Sequence, residues 1–289
     1  MRKSNINKKE IKEIPINNKK NIGLSDLVVI KFGGSSITKK ADNQFEMNYE
    51  VLNQSAEELY RAIKKTKYKV ALICGVGPFG HTNVKKLNLN DGIKTREQEE
   101  GTQKTIVDCN FVAQETSTAL EKFGLKTKII PGYLVCKQDN RKAISFDTKE
   151  YVKAIHGGFI PITTGTMVKD KTLKWSVMSG DTAVAELCKQ LRPRKVIMGT
   201  DVDGIYTADP KVNPKAKLIE SITKENVPKI LEMVGESNSV DVTGGMKGKL
   251  EKLALTLNGV PGEIFNLFTK GNLEKAFIGE EIKDTKIRL

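Results

Sequence analysis

The stretch "LVVIKFGGSS", residues 27–36, joins a mostly apolar run to a pair of glycines. An apolar run without polar alternation is typical of a strand that is buried on both faces of a parallel sheet. A second run of this kind, "KVALIC" at 69–74, leads into "GVGPFGH" at 75–81. The two stretches predict buried strands whose carboxyl ends continue into ligand-binding loops.

Short apolar runs alternate with longer amphipathic segments along the rest of the chain. Strands are predicted at 27–32, 69–74, 126–131, 158–165, 195–200 and 262–268, the last clear strand, with a hairpin at 167–177. Helices are predicted at 49–65, with Val51, Leu52, Leu59 and Ile63 inward, at 96–124, interrupted near Gly101 and stopped by Gly124, and at 148–156, 181–191 and 247–258. Pro161 indicates either an edge strand or a strand start. The alternation predicts a three-layer α/β/α sandwich with a mainly parallel central sheet.

The length and composition fit one large globular domain. The chain has 289 residues, of which 38% are apolar, enough for a sizeable core. We predict a single domain over 25–289, preceded by a basic tail, 1–24, that we expect to be disordered. No apolar segment is long enough to span a bilayer, and "MRKSNINKKEIKEIPINNKK" lacks the apolar middle of a signal peptide. These features predict a cytoplasmic location and no membrane partner.

The net charge of +13 fits nucleic acid, an anionic membrane surface or small anionic substrates. Seven basic residues lie in the first 24, against Glu10 and Glu13, so part of this excess belongs to the tail. Only 6% of residues are aromatic and no run interleaves them with Arg or Lys, which argues against a nucleic-acid partner. The four cysteines form no CxxC pair and have no nearby histidine, so they predict reduced, mostly buried thiols and no metal site.

Glycine-containing loops follow the predicted strands in six places. They read "KFGGSS" (31–36), "GVGPFGH" (75–81), "TGTM" (164–167), "SGD" (179–181), "GTDVDGIYTADP" (199–210) and "DVTGGMKGK" (241–249). One such loop would mark only a turn, but six at strand ends indicate a shared ligand site. Lys31 ends the first strand and Lys249 lies in the first turn of a helix, which suits the neutralisation of phosphate charge in phosphoryl transfer. Lys247 and Lys252 are interpreted as ordinary exposed helix lysines.

The chain lacks the motifs of several other nucleotide-dependent and hydrolytic enzymes. No GxxxxGK[ST], HRD or DFG motif is present, and the sequence indicates no Ser-His-Asp or Cys-His catalytic arrangement. From about Leu27 to the end, the sequence instead resembles the amino acid kinase superfamily, and most of all its isopentenyl phosphate kinase branch. The stretches "IKFGGSSITKK", "GVGPFGH", "SGD", "TDVDGIY" and "SNSVDVTGGMKGK" carry this resemblance. "KFGGSS" alone would fit aspartate kinases equally well.

The resemblance implies a homodimeric, ATP- and Mg²⁺-dependent kinase that converts isopentenyl phosphate to isopentenyl diphosphate. It implies catalytic roles for Lys31, His81, Asp181 and Lys249, with Asp181 holding the two ammonium groups. It implies nucleotide contacts from Gly33, Gly34, Ser35, Lys40, Gly77, Thr200, Asp201, Gly204, Asp209, Gly245 and Lys249. It implies acceptor contacts from Val76, Gly77, His81 and Gly180, and no protein metal site. An ionised acceptor phosphate needs no general base, so His81 is expected to act as a hydrogen-bond donor.

Three positions depart from the family pattern and leave the acceptor open. Val76 replaces a glycine, Pro78 replaces a small residue and has no N–H to offer a phosphate, and Thr166 replaces an aspartate. A kinase for another phosphate or phosphonate, similar to fosfomycin kinases, therefore stays an alternative. The second alternative is a nucleotide-binding regulator or storage protein that has lost phosphoryl transfer. His156, near a predicted helix C-terminus, is interpreted as structural.

Overall fold

The computed structural model describes residues 24–41, 44–235 and 245–289. Its strands are β1 (Leu27–Phe32), β2 (Thr38–Ala41), β3 (Gln44–Met47), β4 (Lys69–Cys74), β5 (Thr127–Ile129), β6 (Cys136–Asp139), β7 (Lys142–Phe146), β8 (Ile160–Thr164), β9 (Thr166–Asp170), β10 (Lys174–Met178), β11 (Lys195–Thr200), β12 (Ser221–Thr223), β13 (Gly262–Asn266) and β14 (Asp284–Arg288). Its helices are α1 (Gly34–Ile37), α2 (Tyr49–Thr66), α3 (Pro78–Lys86), α4 (Arg96–Glu121), α5 (Gly132–Val135), α6 (Lys149–His156), α7 (Gly180–Leu191), α8 (Val227–Gly235), α9 (Gly245–Leu257) and α10 (Asn272–Ile278).

The central sheet has the strand order β12-β14-β13-β11-β1-β4-β8-β5. Strands β13, β11, β1, β4, β8 and β5 are mutually parallel, and β14 runs antiparallel to β13. Strand β1 lies in the middle, paired with β11 on one side and β4 on the other. The prediction of a mainly parallel central sheet is confirmed.

Helices cover both faces of this sheet. Alternate residues of β1 point to opposite faces, so Val28 and Ile30 belong to one apolar cluster and Leu27 and Val29 to the other. The first cluster contains residues of α2, α4 and α10, and the second contains residues of α6, α7 and α9. Both clusters are buried apolar cores that hold the sheet between two helical layers. The three-layer α/β/α sandwich is therefore confirmed.

A second sheet, β10-β9-β6-β7, contains the hairpin β9–β10 that the sequence predicts, and β2–β3 forms a small hairpin beside α3. Parallel strands end at the same edge of a sheet, so the loops after β1, β4, β8 and β11 meet there. Within the described residues, no helix is long and apolar enough to cross a membrane. The four cysteines are free and buried as predicted, and burial raises the pKa of each thiol to about 12.

Helix α4 corrects one prediction, because it runs unbroken through Gly101. A Cβ at Gly101 would lie 2.2 Å from Cδ1 of Leu87, so the glycine permits close packing against the α3 segment. The helix begins in a capping box, in which Gln98 N donates to Thr95 Oγ1 at 3.2 Å. Gly124, with φ of +78°, lies three residues beyond the last helical residue, Glu121.

Two smaller corrections concern the last strand and the start of the folded part, and the alternatives for Pro161 are resolved. Strand β14 follows β13, so residues 262–268 do not hold the last strand. Pro161 marks a strand start and not an edge, because β8 lies between β4 and β5 and its pairing with β4 begins only at Ile162. Leu24 is 3% exposed and belongs to the second core cluster, so the folded part includes residue 24. The prediction for the rest of the tail lies outside the described residues.

Candidate active site

The loops after β1 and β4 interlock through their glycines. A Cβ at Gly34 would lie 2.4 Å from the backbone N of Gly77, and one at Gly75 would lie 2.4 Å from the backbone N of Gly34. Gly77 has φ of +49° and lies against the Thr38 hydroxyl, which donates to Gly34 O at 2.6 Å. Side chains at these glycines would force the two loops apart. The close approach leaves a concave backbone surface at the strand ends.

His81 lies on α3, directly after this glycine contact. Pro78 occupies the first turn of α3, where a missing N–H costs the helix nothing, and His81 N donates to Gly77 O at 3.1 Å. The imidazole is exposed and has no hydrogen bond to any part of the chain that the structure describes. It lines the cavity formed by the glycine loops. The loop after β4 therefore presents the histidine to this cavity.

Lys31 and Asp181 form an ion pair at the carboxyl end of β1. Ser179 caps α7 through a bond from Thr182 N at 3.1 Å, and Asp181 lies in the first turn of that helix. The second carboxylate oxygen of Asp181 lies 3.6 Å from Nζ of Lys252, on α9. Burial alone would raise the pKa of Asp181, but the two lysines outweigh it and hold that pKa below its usual value. Asp181 is thus a fixed negative charge between two cations.

Lys252 is the residue that the sequence interpretation misjudged. It is exposed at 67% of its side chain, as expected of a helix lysine, yet it pairs with Asp181 and lines the same cavity as Lys31. Positions three apart share a helix face, so the spacing of Lys252 from Lys249 could have indicated that Lys252 also lies at the site. The side chains of Lys40 and Lys249 lie outside the described residues. The backbone of Lys249 is the fifth position of α9, which begins two residues earlier than predicted.

Asp201, after β11, connects its own loop to the end of β11 and to the loop after β1. It accepts from Ser35 Oγ at 3.1 Å and from Thr200 Oγ1 at 3.2 Å, and its second oxygen pairs with Lys211. Burial tends to raise the pKa of Asp201, and the bonds from Lys211 and Ser35 lower it further than burial raises it. Lys211 could not be predicted from its motif, because its contact with Asp201 depends on the fold of the loop after β11.

The neighbouring predicted residues Gly204 and Asp209 shape that loop. A Cβ at Gly204 would lie 2.3 Å from Thr285 Oγ1, so the loop packs closely on β14. Asp209 accepts from Lys211 N at 2.9 Å and closes a turn. Asp203, which was not predicted, holds Lys283 at 2.7 Å and so adds a second tie between this loop and the segment before β14. The loop is therefore fastened by Asp201, Asp203 and Gly204.

A cavity of about 580 Å³, here called the glycine-loop cavity, joins most of these elements. The cavity is lined by Lys31, Asp181 and Lys252, which ion pairs join into a polar end. Its lining also includes Gly34, Ser35, Gly75, Gly77, His81, Ser179 and Gly180, and a mostly apolar set of Val76, Pro78, Gly80, Val84, Thr105, Cys109, Gly165, Thr166, Met167, Val177 and Met178. The cavity can hold a ligand with an anionic head and a mostly apolar body.

Several predicted residues lie outside the lining of this cavity. Thr200, Asp201, Gly204 and Asp209 are connected to it through Ser35. Gly33 lies behind the loop, where its N–H donates to Gly199 O at 2.7 Å and is not free for a phosphate. A groove of about 610 Å³ opens at the amino ends of β4 and β8, and it contains none of the predicted site residues.

Comparison with known proteins gives consistent relationships. The model of the amino acid kinase family matches residues 26–266. The isopentenyl phosphate kinase of Methanothermobacter thermautotrophicus is 31% identical over 90% of this chain and 98% of its own length. That of Methanocaldococcus jannaschii is 30% identical with the same coverage of both chains.

Solved structures give the same relationship at the level of the fold. A structure of isopentenyl phosphate kinase superposes with a TM-score of 0.78 at 28% identity, covering 90% of this chain and 99% of the other. The chain belongs to the amino acid kinase family.

Proposed function

We propose that the protein transfers the γ-phosphoryl group of ATP to the phosphate of isopentenyl phosphate and forms isopentenyl diphosphate and ADP. The observation that carries this proposal is the glycine-loop cavity, whose lining combines Lys31, His81 and Asp181 with mostly apolar residues. The isopentenyl phosphate kinases that resemble this chain over nearly their full length support the same reaction. A short alkyl phosphate has an anionic group and an apolar tail, which fit the cationic and the apolar residues of the cavity lining.

The cationic end would stabilise the transferring group. Lys31, held by Asp181, would neutralise oxygens of the phosphoryl group as the bond to ADP breaks, and Lys249 would do so from α9. The nucleotide would be held by Gly33, Gly34, Ser35, Lys40, Gly77, Thr200, Asp201, Gly204, Asp209, Gly245 and Lys249. Because its N–H is engaged, Gly33 would contribute only space for the loop. In this scheme the C-terminal part of the single domain binds ATP.

The acceptor would be bound by the N-terminal part of the domain. Val76, Gly77, His81 and Gly180 would surround its phosphate, with the imidazole donating a hydrogen bond. An oxygen of the acceptor phosphate attacks the γ-phosphorus while the bond from that phosphorus to the ADP oxygen breaks. A phosphate monoester is already ionised near neutral pH, so no side chain has to remove a proton.

Magnesium would enter with the nucleotide rather than in a protein cage. Among residues 24–41, 44–235 and 245–289, no group of three or more Asp, Glu, His or Cys side chains could hold a metal. Asp181 and Asp201, the carboxylates beside the polar end, are already engaged by lysines. Mg²⁺ commonly binds through substrate phosphates and water with few protein ligands, so the residues present fit this mode. Its chemistry would be neutralisation of the ATP phosphates.

We also propose a homodimer. Helix α4 exposes Val107 at 65% and Phe111 at 43% of their surfaces, next to an aromatic contact between Phe79 and Phe111. Apolar side chains grouped in this way are typical of surfaces that another protein covers. Light scattering on the purified protein tests this point, and a monomer at micromolar concentration would contradict it.

ADP release measured across a set of acceptors tests the proposed reaction. With ATP and Mg²⁺, isopentenyl phosphate should give turnover far above the background hydrolysis of ATP. Fosfomycin, aspartate and acetylglutamate should give little. Faster turnover with fosfomycin would show that fosfomycin, and not isopentenyl phosphate, is the better acceptor. ATP binding without any turnover would favour a non-catalytic protein.

A further inference from the structure

The groove of about 610 Å³ at the amino ends of β4 and β8, here called the amino-end groove, lies away from the candidate active site. Strand β4 connects the two places, because it begins at Lys69 in the groove and leads to Gly75 in the glycine-loop cavity. A strand of six residues spans about 20 Å. A ligand in the amino-end groove would therefore not contact the residues assigned to phosphoryl transfer.

The least exposed residues of the amino-end groove are apolar. Four of them are at most 9% exposed, namely Val70, Leu125, Ile155 and Ile160. Phe159, in the same lining, is 41% exposed. The volume of the groove is in the range of small-molecule sites, which are about 300–1,000 Å³ and are lined mostly by apolar and aromatic side chains. The groove can therefore accept an apolar or planar body of that size.

The charged residues of the same lining are all cations. The described residues of the lining contain no Asp or Glu, but they include Lys64, Lys67, Lys69 and Lys126. Asp26 lies 3.5 Å from Nζ of Lys69 and offsets part of its charge. Lys64, Lys67 and Lys126 are exposed and form no ion pair with any residue that the structure describes. Like charges around a concave surface concentrate positive potential there, which favours an anionic ligand.

Two aromatic rings of the groove hold cations without neutralising them. Nζ of Lys64 lies 5.4 Å from the ring centroid of Tyr60. Cζ of Arg194 lies 5.2 Å from the ring centroid of Tyr68, which also lines the neighbouring cavity that contains Arg194. A cation over an aromatic face is attracted by the ring but keeps its full charge. These two cations are therefore held in place and still attract an anion.

The combination of cations and buried apolar residues favours a small amphipathic anion. Inorganic phosphate would pair with the lysines and leave the apolar part of the lining without a contact. A single-stranded nucleic acid requires a basic track with several aromatic platforms for successive bases. The amino-end groove has the volume of one small molecule and one largely exposed ring, Phe159.

We propose that the amino-end groove is a second ligand site, which binds a small organic phosphate with two or more phosphoryl groups and an apolar or aromatic body. Lys64, Lys67 and Lys126 would bind the phosphate oxygens, and Phe159 would contact the body together with the buried apolar residues. Nucleotides and alkyl diphosphates share this chemistry. The inference is independent of the proposed reaction, because the two linings have no residue in common.

Lysine acetylation, followed by mass spectrometry, tests this site in the wild-type protein. The probes are GTP, decyl diphosphate and inorganic triphosphate. With an organic probe at ten times its dissociation constant, acetylation of Lys64, Lys67 and Lys126 should slow by about tenfold. Lys137 on β6 and Lys171 after β9 are exposed controls outside the groove, and they should react equally with and without the probe.

Charge reversal at the groove should weaken this binding. We expect Lys64→Glu/Lys126→Glu to raise the dissociation constant, measured by the protection of Lys67, by about tenfold or more. Lys137→Glu/Lys171→Glu changes the net charge equally and should leave the constant nearly unchanged. All four positions are exposed, and melting curves verify that both variants are folded.

Truncation of the exposed ring tests the apolar half of the proposal. Phe159→Ala should weaken the organic probe severalfold and leave the weak binding of inorganic triphosphate unchanged. Protection by GTP alone would assign the site to nucleotides, and protection by decyl diphosphate alone would assign it to alkyl diphosphates.

Three results would overturn the inference. The first is no protection of the groove lysines by either organic probe, and the second is equal protection by inorganic triphosphate. The third is an equal loss of binding in the groove variant and the control variant. Protection by a single-stranded RNA alone would give the first result and would assign the groove to nucleic acid. None of these measurements requires turnover, so their failure leaves the proposed reaction untouched.

Discussion

At the scale of single residues, the site depends on charges that hold one another in place. Asp181 keeps Lys31 at the end of β1 and reaches Lys252 on α9, so one carboxylate links three secondary-structure elements. His81 is held by its backbone alone, and its ring is left to a ligand. Lys31, His81 and Asp181, which the sequence motifs indicated, line one cavity, and their catalytic roles stay predictions. Lys252 comes next to Asp181 only through the packing of α9 against α7, elements that lie far apart in the chain.

His81→Ala should weaken use of the acceptor and leave ATP binding nearly unchanged. A hydrogen bond to a charged phosphate is worth about 1.5–3 kcal/mol, which predicts a loss of roughly tenfold to a few hundredfold in kcat/KM for the acceptor. His81→Gln keeps a donor and should recover part of this loss. His156→Ala is the matched control, because His156 is an exposed residue at the C-terminus of α6. Steady-state kinetics measure this loss, and normal acceptor kinetics in His81→Ala would contradict the role of His81 as a donor to the acceptor phosphate.

Lys252→Ala should reduce turnover modestly and Lys31→Ala severely. Lys252 is largely exposed and 3.6 Å from Asp181, so its ion pair is worth no more than about 1 kcal/mol, or roughly fivefold. Lys31 lies near the end of a buried strand, where Asp181 holds it, so its loss should lower kcat by about two orders of magnitude. Lys189→Ala, an exposed lysine of α7, is the control. Equal effects of Lys252→Ala and Lys189→Ala would remove Lys252 from the site.

At the scale of elements, long amphipathic helices and fully apolar strands were predictable and short strands were not. β1, β4 and β11 match their predicted bounds, because each is an apolar run that is buried on both faces. β12 has three residues, and β14 alternates buried and exposed positions beside a partner distant in sequence. Such strands depend on the sheet edge that accepts them, which local sequence does not specify.

Helix α2 contains a buried carboxylate that its amphipathic pattern does not explain. Glu58 is 1% exposed and accepts from the backbone N of Gly271 at 2.6 Å, Leu273 at 3.1 Å and Glu274 at 3.3 Å. These are the unpaired N–H groups at the start of α10, so Glu58 caps a helix that lies more than 200 residues further along the chain. The cap fastens α10 to the first helical layer.

Removing this cap should destabilise the protein strongly. Hydrogen bonds to charged groups contribute about 1.5–3 kcal/mol, so Glu58→Gln, which places an amide N–H among donors, should cost about 2–3 kcal/mol. Glu57→Gln is the matched control, because Glu57 is exposed and pairs only with Arg61 within the same helix. Urea unfolding of both variants gives the comparison. Equal stabilities of Glu58→Gln and Glu57→Gln would show that the cap contributes nothing.

At the scale of the whole molecule, the loops of the candidate active site lie at one edge of the central sheet, and buried ionisable groups lie at other places in it. The loops after the parallel strands meet at one edge, as the glycine pattern predicts, because all carboxyl ends of parallel strands point the same way. Ionisable groups at other places in the sheet could not be predicted, since their environment depends on which strands pair. Glu263 on β13 and Asp284 on β14 are both buried, and they are neighbours only because these strands are antiparallel.

This buried carboxyl pair makes stability depend on pH. Burial, together with the hydrogen bond to Asp284, raises the pKa of Glu263 from 4.5 to about 7, while Lys195 opposes the shift. The folded state therefore holds a proton that the unfolded chain releases, and stability should fall as pH rises from about 4.5 to 7. Glu263→Gln stays neutral, so its melting temperature relative to the wild type should rise over this range. Parallel melting curves at every pH would contradict this assignment.

The central claim is that the phosphoryl group of ATP moves onto the phosphate of a short alkyl phosphate. ³¹P NMR of a mixture of the protein, ATP, Mg²⁺ and isopentenyl phosphate tests it most directly, because it shows which phosphorus atoms become linked. We expect the acceptor signal to be replaced by two mutually coupled signals of an alkyl diphosphate, together with ADP, and we expect Lys31→Ala to slow this change about a hundredfold. An unchanged acceptor signal beside ADP and inorganic phosphate would contradict the account.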